Sequence, residues 1–332
     1  MSDFRALRVH QVEKSLSSKL ERITLDDLTP GEVVIRVAYS CLNYKDALAV
    51  SGKSRIMRTM PRVAGVDLAG RVESSSDPRF AKGDAVLVTG CNAGELLDGG
   101  LAEFARMPAD AVVPLPAGLT LAESMALGTA GFTAAMALRR MLENHQAPDM
   151  GPIVVTGPTG GVGSIAIQLF KRAGFKVTAL TGKKGEAEDY LRGLGADDVL
   201  DRQAIDFGKK PLESVRFGGA VDNLGGETLA GLTRVVRPWG NIGSIRLAQG
   251  HDLTTTVMPF ILRGVSLLGI HSVDVPPAWR LDIWKKLAGE WKPPRLDAIV
   301  RRTIGLDDVQ AACAELIAGR VQGRYVVRIG SE

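Results

Sequence analysis

Val154-Val155-Thr156-Gly157-Pro158-Thr159-Gly160-Gly161-Val162-Gly163-Ser164 runs from an apolar segment through a glycine-rich turn into a helix start. Such a sequence surrounds a pyrophosphate with backbone N–H groups. Gly157 permits the tight turn, Gly160 and Gly161 let the backbone approach the phosphates, and Gly163 lets the helix pack on the strand with its positive N-terminal end toward the anion. A glycine motif alone is weak evidence, but this one has the context it needs. Short apolar strands are expected at Ile153–Thr156, Val177–Leu180, Val199–Leu200, Gly219–Asp222, Asn241–Ile245 and Leu267–Ile270, with helical stretches between most of them. Ser164–Ala173 is one such helix and ends at Gly174, a natural C-cap. Strand and helix alternating at this spacing predict a doubly wound parallel sheet, a Rossmann domain.

The first third has a different texture. Ala6–Val9, Val33–Tyr39, Asp67–Val72, Ala85–Thr89 and Ala111–Pro114 read as short strands separated by turn signals, which predicts a small β barrel or sandwich. An apolar helix over Ala122–Leu142 marks the change, with Gly128, Thr129, Ala130 and Gly131 small enough for close packing. After Ser272 the pattern loosens, then ends in a helix, Leu306–Ala318, and a strand, Tyr325–Ile329. The tail is read as returning to the first domain. The expected fold class is therefore α/β, with a β-rich domain over 1–121 and 273–332 and a Rossmann domain over 122–272, which suits 332 residues.

The formal charge of +4 is small, and the basic residues are interspersed with acidic ones, so nucleic acid is not an expected partner. Three cysteines, Cys41, Cys91 and Cys313, form neither a disulfide framework nor a CxxC pair, which fits a reducing compartment. No apolar signal core precedes Val12, and no run is read as long enough to span a bilayer, so a cytoplasmic location without a membrane partner is expected.

An acidic residue at the end of the second Rossmann strand would hold the ribose of NAD. Here the chain reads Thr181-Gly182-Lys183-Lys184 instead. Two lysines and no carboxylate welcome a 2′-phosphate, so NADPH is the expected cofactor; the alternative is that both lysines merely cap a solvated loop.

Several further stretches complete the picture: Leu42-Asn43-Tyr44-Lys45-Asp46-Ala47-Leu48, Gly65-Val66-Asp67-Leu68-Ala69-Gly70, Gly128-Thr129-Ala130-Gly131-Phe132-Thr133, Thr255-Thr256-Val257-Met258-Pro259-Phe260-Ile261-Leu262-Arg263 and Gln322-Gly323-Arg324. With the dinucleotide turn, they resemble the medium-chain dehydrogenase/reductase superfamily in its zinc-free quinone-oxidoreductase branch, and most of all the NADPH-dependent acryloyl-CoA reductases. The resemblance covers the whole chain. It implies a GroES-like catalytic domain built from both chain ends, a Rossmann insert and an active site in the cleft between them. It also implies that Tyr44, Thr159, Gly160, Gly161, Val162, Thr181, Gly182, Lys183, Arg202, Leu247, Ile261, Ser272 and Arg324 lie along the cofactor, and that the protein is a homodimer paired through its last Rossmann strand.

The zinc enzymes of that superfamily carry a cysteine where this chain resembles them at Asn43, and Gly-His-Glu where it reads Gly65-Val66-Asp67. No metal is expected, because a catalytic zinc needs three N, S or O ligands and Val66 offers none. Cys41, two positions before Asn43 and on the same face of the strand, is the one candidate for a displaced ligand, and it is not the expected reading. Carbonyl polarisation then falls to hydrogen bonds, which favours acceptors already activated, such as an enoyl thioester or a quinone. Asn43 and Tyr44 are the candidate catalytic donors, and Asp46 a third catalytic candidate that is either orienting or structural, as is Asp67. Lys53, Arg55, Arg58 and Arg62 form a basic group that either binds coenzyme A phosphates or is simply a solvated loop. The expected partner is a small molecule, a CoA thioester. Two other readings stay open: a quinone or enone reductase working on CoA-free acceptors, and a non-catalytic NADPH-binding protein. Acryloyl-CoA reductases resembling this chain carry tryptophans in the segment that here reads Gly90-Cys91-Asn92-Ala93-Gly94-Glu95-Leu96-Leu97-Asp98-Gly99-Gly100, so the substrate pocket is expected to differ.

Overall fold

The structure is a computed structural model that describes residues 3–13 and 15–331. Met1 and Ser2, at the start of the first expected domain, lie outside the described residues. The chain begins with β1 (Phe4–Val12), β2 (Ser15–Ile23), β3 (Val33–Cys41), helix α1 (Tyr44–Val50), β4 (Arg62–Val63), β5 (Asp67–Ser75), β6 (Ala85–Thr89), β7 (Phe104–Met107) and β8 (Val113–Pro114). The long α2 (Leu121–Glu143) follows. Next come β9 (Ile153–Thr156), α3 (Gly161–Arg172), β10 (Val177–Thr181), α4 (Lys184–Gly193), β11 (Asp198–Asp201), β12 (Gly219–Asp222), α5 (Gly226–Val235), β13 (Asn241–Ser244), α6 (Met258–Arg263) and β14 (Ser266–Gly269). The chain closes with α7 (Pro277–Ala288), α8 (Leu296–Ile299), β15 (Val300–Ile304), α9 (Val309–Ile317) and β16 (Arg324–Arg328).

Two compact units result. One comprises Met1–Phe132, Ser272–Gly289 and Ile299–Glu332; the other comprises Thr133–His271 and Glu290–Ala298. The division falls inside α2 instead of before it, and 290–298 belongs with the second unit. The reason for the latter is local: Gln168 on α3 exchanges two hydrogen bonds with the backbone of Arg295, and Arg172 donates to the Glu290 carbonyl.

The first unit is β-rich and GroES-like. A seven-stranded sheet runs β15-β16-β3-β5-β6-β8 with β7 also paired to β3, and a three-stranded sheet runs β2-β1-β4. Placing β16 against β3 joins the chain's end to its beginning, as Val326 pairs with Cys41 and Val327 with Ser40. Leu7, Leu42, Ala47, Val50, Val309 and Cys313 share one buried core, which fixes the short α1 against α9.

The second unit is a six-stranded parallel sheet in the order β11-β10-β9-β12-β13-β14. The strand order reverses beside β9, because β10 and β12 both pair with it in parallel. That is the topological switch point, where a doubly wound sheet binds its ligand beyond the strand C-termini.

Contrary to expectation, among the described residues one helix is long and apolar enough to cross a membrane. It is α2, and 83% of its apolar window is buried within the protein, as in a core helix.

Candidate functional site

In the second unit, β9 ends at Thr156 and Gly157 turns the chain with φ at 55°, a conformation that only glycine adopts without strain. A Cβ on Gly163 would stand 2.4 Å from the Gly157 carbonyl oxygen, so α3 can pack this closely on the turn only because residue 163 lacks a side chain. At Gly160, by contrast, a Cβ would meet nothing nearer than 3.5 Å. The face that residue 160 presents is thus open for a ligand, and Gly160 caps α3, whose first N–H groups have no carbonyl of their own helix to bond. Thr156 and Asp222 brace the turn from below. The Thr156 hydroxyl donates to Asp222 at 2.8 Å, and the Asn223 amide nitrogen donates to the Thr156 carbonyl at 2.8 Å. The Asn223 Oδ1 is buried with no partner among the described residues, which leaves an acceptor to spare beside Gly157. Burial raises the Asp222 carboxyl above the usual range, against the hydrogen bonds from Gly225, Thr156 and Leu224.

Thr181 ends β10 buried, and its hydroxyl accepts the Lys183 N–H at 3.1 Å. Gly182, Lys183 and Lys184 are exposed. Arg202 follows β11 with its backbone N–H on the Thr181 carbonyl at 2.8 Å, and its guanidinium lies 3.1 Å from where a Gly182 Cβ would be. The end of β10 is therefore flanked by cations, with no carboxylate among 181–183. Arg202 also borders a pocket of about 1000 Å³ lined by Ile205, Phe207, Thr228 and Gln249. The residues present fit a 2′-phosphorylated dinucleotide: an anion-binding helix end at the turn and a cationic site one strand away. Leu247 and Ile261, expected along the cofactor by resemblance, are both largely exposed. Leu247 lies beside Gly225, whose Cβ would stand 3.2 Å from its Cα.

In the first unit, Asn43, Tyr44, Asp46 and Arg324 come together around the end of β3. Asp67 sits at the centre, fully buried. Its Oδ2 accepts from the Asn43 amide at 2.8 Å, the Thr129 backbone N–H at 2.8 Å and the Cys41 thiol at 3.1 Å; its Oδ1 accepts from the Thr129 hydroxyl at 2.5 Å. Arg324 lies 3.9 Å from the same Oδ2 and donates to Cys41 Sγ at 2.8 Å and to Asn43 Oδ1 at 3.3 Å. Burial, with the Asp67 charge beside it, pushes the Cys41 thiol well up, so it stays protonated and donates. The sequence placed Arg324 only on the cofactor and weighed Cys41 only as a displaced metal ligand. What brings them together is Gly128. It breaks α2 with φ 50° and ψ −157°, freeing the Thr129 N–H to point at Asp67, and a Cβ there would lie 2.6 Å from Asp67 Oδ2. The run of small residues at 128–131 was the only sequence signal of this close approach.

Of the two roles open to Asp46, orienting or structural, its contacts favour the structural one. It stands at the third position of α1, where its Oδ2 accepts the Asn43 N–H at 2.8 Å and its Oδ1 the Val66 N–H at 2.9 Å. Both oxygens are thus spent on the backbone, capping the helix that starts at Tyr44. Burial raises its carboxyl to about 7, with the Asp67 charge adding to that and the two N–H donors opposing it. A folded-state value above the unfolded one means that the folded protein holds this proton more tightly. The stability so contributed is full below about pH 4 and is lost as pH rises to about 7. Urea melts should therefore show wild type losing up to roughly 4 kcal/mol against Asp46→Asn between those pH values and nothing more above them. A pH-independent difference would remove the buried carboxyl as the cause.

The basic group divides. Arg62 is buried and paired with Asp98 at 3.0 Å, and it also bonds Thr59, so it is a structural ion pair and drops out of the expected substrate group. Lys53, Arg55 and Arg58 stay exposed in the segment after α1. Ser272 is half-buried near Gly90. Tyr44 is 39% exposed at the first position of α1. Val66 is buried and apolar, and no three His, Cys, Asp or Glu side chains gather as a metal site among the described residues.

Comparison with known proteins agrees with this geometry. Residues 29–117 match the alcohol dehydrogenase GroES-like domain and residues 161–288 the family described as zinc-binding dehydrogenase. The acrylyl-CoA reductase AcuI of Ruegeria pomeroyi is 41% identical over 331 residues, covering 99% of this chain and all of that one. The putative quinone oxidoreductase YhfP of Bacillus subtilis is 42% identical over 327 residues, 98% of this chain and 99% of its own. Its structure with NAD bound superposes with a TM-score of 0.96 over 99% of this chain and 100% of that one. The yhdH oxidoreductase of Salmonella enterica, solved with NADP, is 40% identical with a TM-score of 0.94, over 98% of this chain and 100% of its own. Matched end to end at this identity, with Asn43 and Val66 in place of metal ligands, the chain belongs to the medium-chain dehydrogenase/reductase superfamily, in its zinc-free quinone-oxidoreductase branch.

Proposed function

We propose that this protein reduces the activated C=C bond of acryloyl-CoA to give propanoyl-CoA, with NADPH as reductant. The observation that carries the reaction class is the half-buried Asn43 amide beside Tyr44, two polar groups at the start of α1 where the superfamily's zinc enzymes supply a metal ligand. Asn43 has its carbonyl engaged by Arg324 and N–H capacity beyond its bond to Asp67. The relative named acrylyl-CoA reductase supports the choice of substrate, since it matches this chain over its whole length.

When bound, NADPH supplies the hydride, which goes to the β-carbon of the thioester. Negative charge then gathers on the thioester oxygen, where Asn43 and Tyr44 donate hydrogen bonds that strengthen in the transition state. The α-carbon takes a proton that originates in solvent. Thr159 to Val162 hold the pyrophosphate at the N-terminus of α3, and Lys183 with Arg202 hold the 2′-phosphate. Lys53, Arg55 and Arg58 are the groups available to the phosphates of coenzyme A.

A second reading, a quinone reductase, is favoured by the relative of that name at 42% identity. Initial rates of NADPH oxidation with acryloyl-CoA, crotonyl-CoA, free acrylate and benzoquinone separate the two. Acryloyl-CoA should show the highest kcat/KM, and no turnover of either thioester alongside fast benzoquinone reduction would replace the first reading by the second.

The same reading includes a cytosolic protein, which its three free thiols suit, and a homodimer. Among the described residues β14 is the edge strand of the six-stranded sheet, and Ile261 and Leu262 just before it are 70% and 61% exposed. Pairing two such edges across a two-fold axis would cover both. Light scattering should give twice the 35.3 kDa chain mass, and a single-chain mass at working concentrations would exclude the dimer.

A further inference from the structure

We propose that Asp67 and Arg324 are positioning residues for Asn43: they fix which end of its amide is turned inward and so make the outward end a hydrogen-bond donor. This rests on the reading above, in which Asn43 serves as a donor.

The two ends of an asparagine amide have nearly the same shape, so partners decide its orientation. Here the partners are of opposite kinds. An ionised carboxylate only accepts and a guanidinium only donates. Asp67 Oδ2 takes the Asn43 Nδ2 hydrogen at 2.8 Å, and Arg324 Nη1 gives one to Asn43 Oδ1 at 3.3 Å. Turning the amide over would set oxygen against carboxylate and N–H against guanidinium, leaving two buried charged groups each facing its own kind. The second Nδ2 hydrogen of Asn43 has no protein partner among the described residues, and Asn43 is half-buried, so this donor is left for a ligand.

The two positioning groups are themselves held. Thr129 gives Asp67 two hydrogen bonds, one from its backbone and one from its hydroxyl, and the Cys41 thiol gives a third. Arg324 is anchored by Cys41 Sγ. The side chains of Arg324 and Asp67 are 2% and 0% exposed, so any effect of Asp67 on a substrate's carbonyl has to pass through a group it holds, and the half-buried Asn43 is the one whose amide orientation it sets. A network needed for folding alone would require charge balance but would have no use for one orientation of a half-exposed amide.

A double-mutant cycle distinguishes the two roles. In Asp67→Asn the new amide can offer either end to Asn43, so the lock is lost. kcat should fall about 10–100-fold while the KM for NADPH changes less than about 3-fold. In an Asn43→Ala background the same change should add less than about 3-fold, because the group it acts through is gone. Thr129→Val, which keeps both charges, should give a smaller kcat loss of about 3–10-fold with the same non-additivity, and serves if Asp67→Asn does not fold. The cycle is run in parallel with acryloyl-CoA and benzoquinone. If wild type turns over no enoyl thioester, the substrate assignment falls while the benzoquinone cycle still tests the positioning. A readout without any ligand is the 15N-labelled side-chain amide of Asn43, identified by its loss in Asn43→Ala. One of its two protons should exchange slowly in wild type, and the difference should collapse in Asp67→Asn and narrow in Thr129→Val. Additive losses in the cycle, or equal exchange of the two protons in wild type, would overturn the proposal.

Discussion

Replacing Arg202 with Ala raises the KM for NADPH about 10–100-fold and leaves that for NADH nearly unchanged, if the cations at the end of β10 hold the 2′-phosphate. A charge-assisted pair to a phosphate contributes about 1.5–3 kcal/mol, which sets that range. Arg202 should matter more than Lys183. Its guanidinium is half-buried and held 3.1 Å from the Gly182 Cβ position, whereas Lys183 is exposed and loses more side-chain freedom and more of its charge to solvent screening on binding. Lys183→Ala should therefore give a smaller shift in the same direction. The discriminating measurement is the ratio of KM values for the two cofactors. Equal losses with NADPH and NADH would mean that Arg202 supports the adenosine or the loop, not the phosphate.

The Rossmann unit was readable because its inner strands, β9, β10, β12 and β13, are buried on both faces and so appear as short, continuous apolar runs. β9 and β12 have the expected bounds, and the others differ by a residue or two. The first unit was harder. β2 escaped notice because Ser15–Ile23 is polar and largely exposed, and only its nine-residue pairing with β1 makes it a strand. Helix α1 escaped for the opposite reason: seven residues are too few to show a period, and it exists because Asp46 caps it and Ala47 and Val50 are buried. The break at Gly128 could not be read either, since it serves the bond from Thr129 to Asp67, sixty-two positions away. The same separation hid the network around Asn43. Cys41, Asp67, Thr129 and Arg324 come from four distant segments, and each alone has an ordinary core or surface explanation. Where the chemistry depended on local order, as in the turn from Gly157 to Gly163, sequence was enough; where it depended on sheet register, it was not.

That register bears on the reaction. β16 returns from the far end of the chain to pair with β3, which brings Arg324 to Asn43 at the start of α1. A charged pair buried this deeply is weak evidence for stability, because well-packed apolar residues serve as well or better. Its presence beside a half-exposed amide is better explained by what it does to that amide. On the proposed reaction, the buried ion pair, the break in α2 and the apolar Val66 serve one end, polarisation by oriented hydrogen bonds.

Tyr44→Phe should lower kcat for acryloyl-CoA about 100-fold, the typical loss of one donor to a developing oxyanion, and weaken NADPH binding much less. The tyrosine begins α1, whose start is fixed by the Asp46 cap and whose opposite side is fixed in the core, so its hydroxyl is carried on a rigid support. At 39% exposure it is accessible to a ligand. The expected loss falls on kcat because the hydroxyl's bond matters most when charge has moved onto the thioester oxygen; the uncharged ground-state carbonyl attracts it far less. Labelled NADPH makes the same point at the level of atoms. Deuterium from C4 of the nicotinamide should appear at the β-carbon of propanoyl-CoA and a solvent proton at the α-carbon, the only order that places transient charge where Asn43 and Tyr44 can meet it. An unchanged kcat with much poorer NADPH affinity in Tyr44→Phe would make Tyr44 a cofactor-packing residue, and deuterium at the α-carbon would defeat the charge placement on which both donors depend.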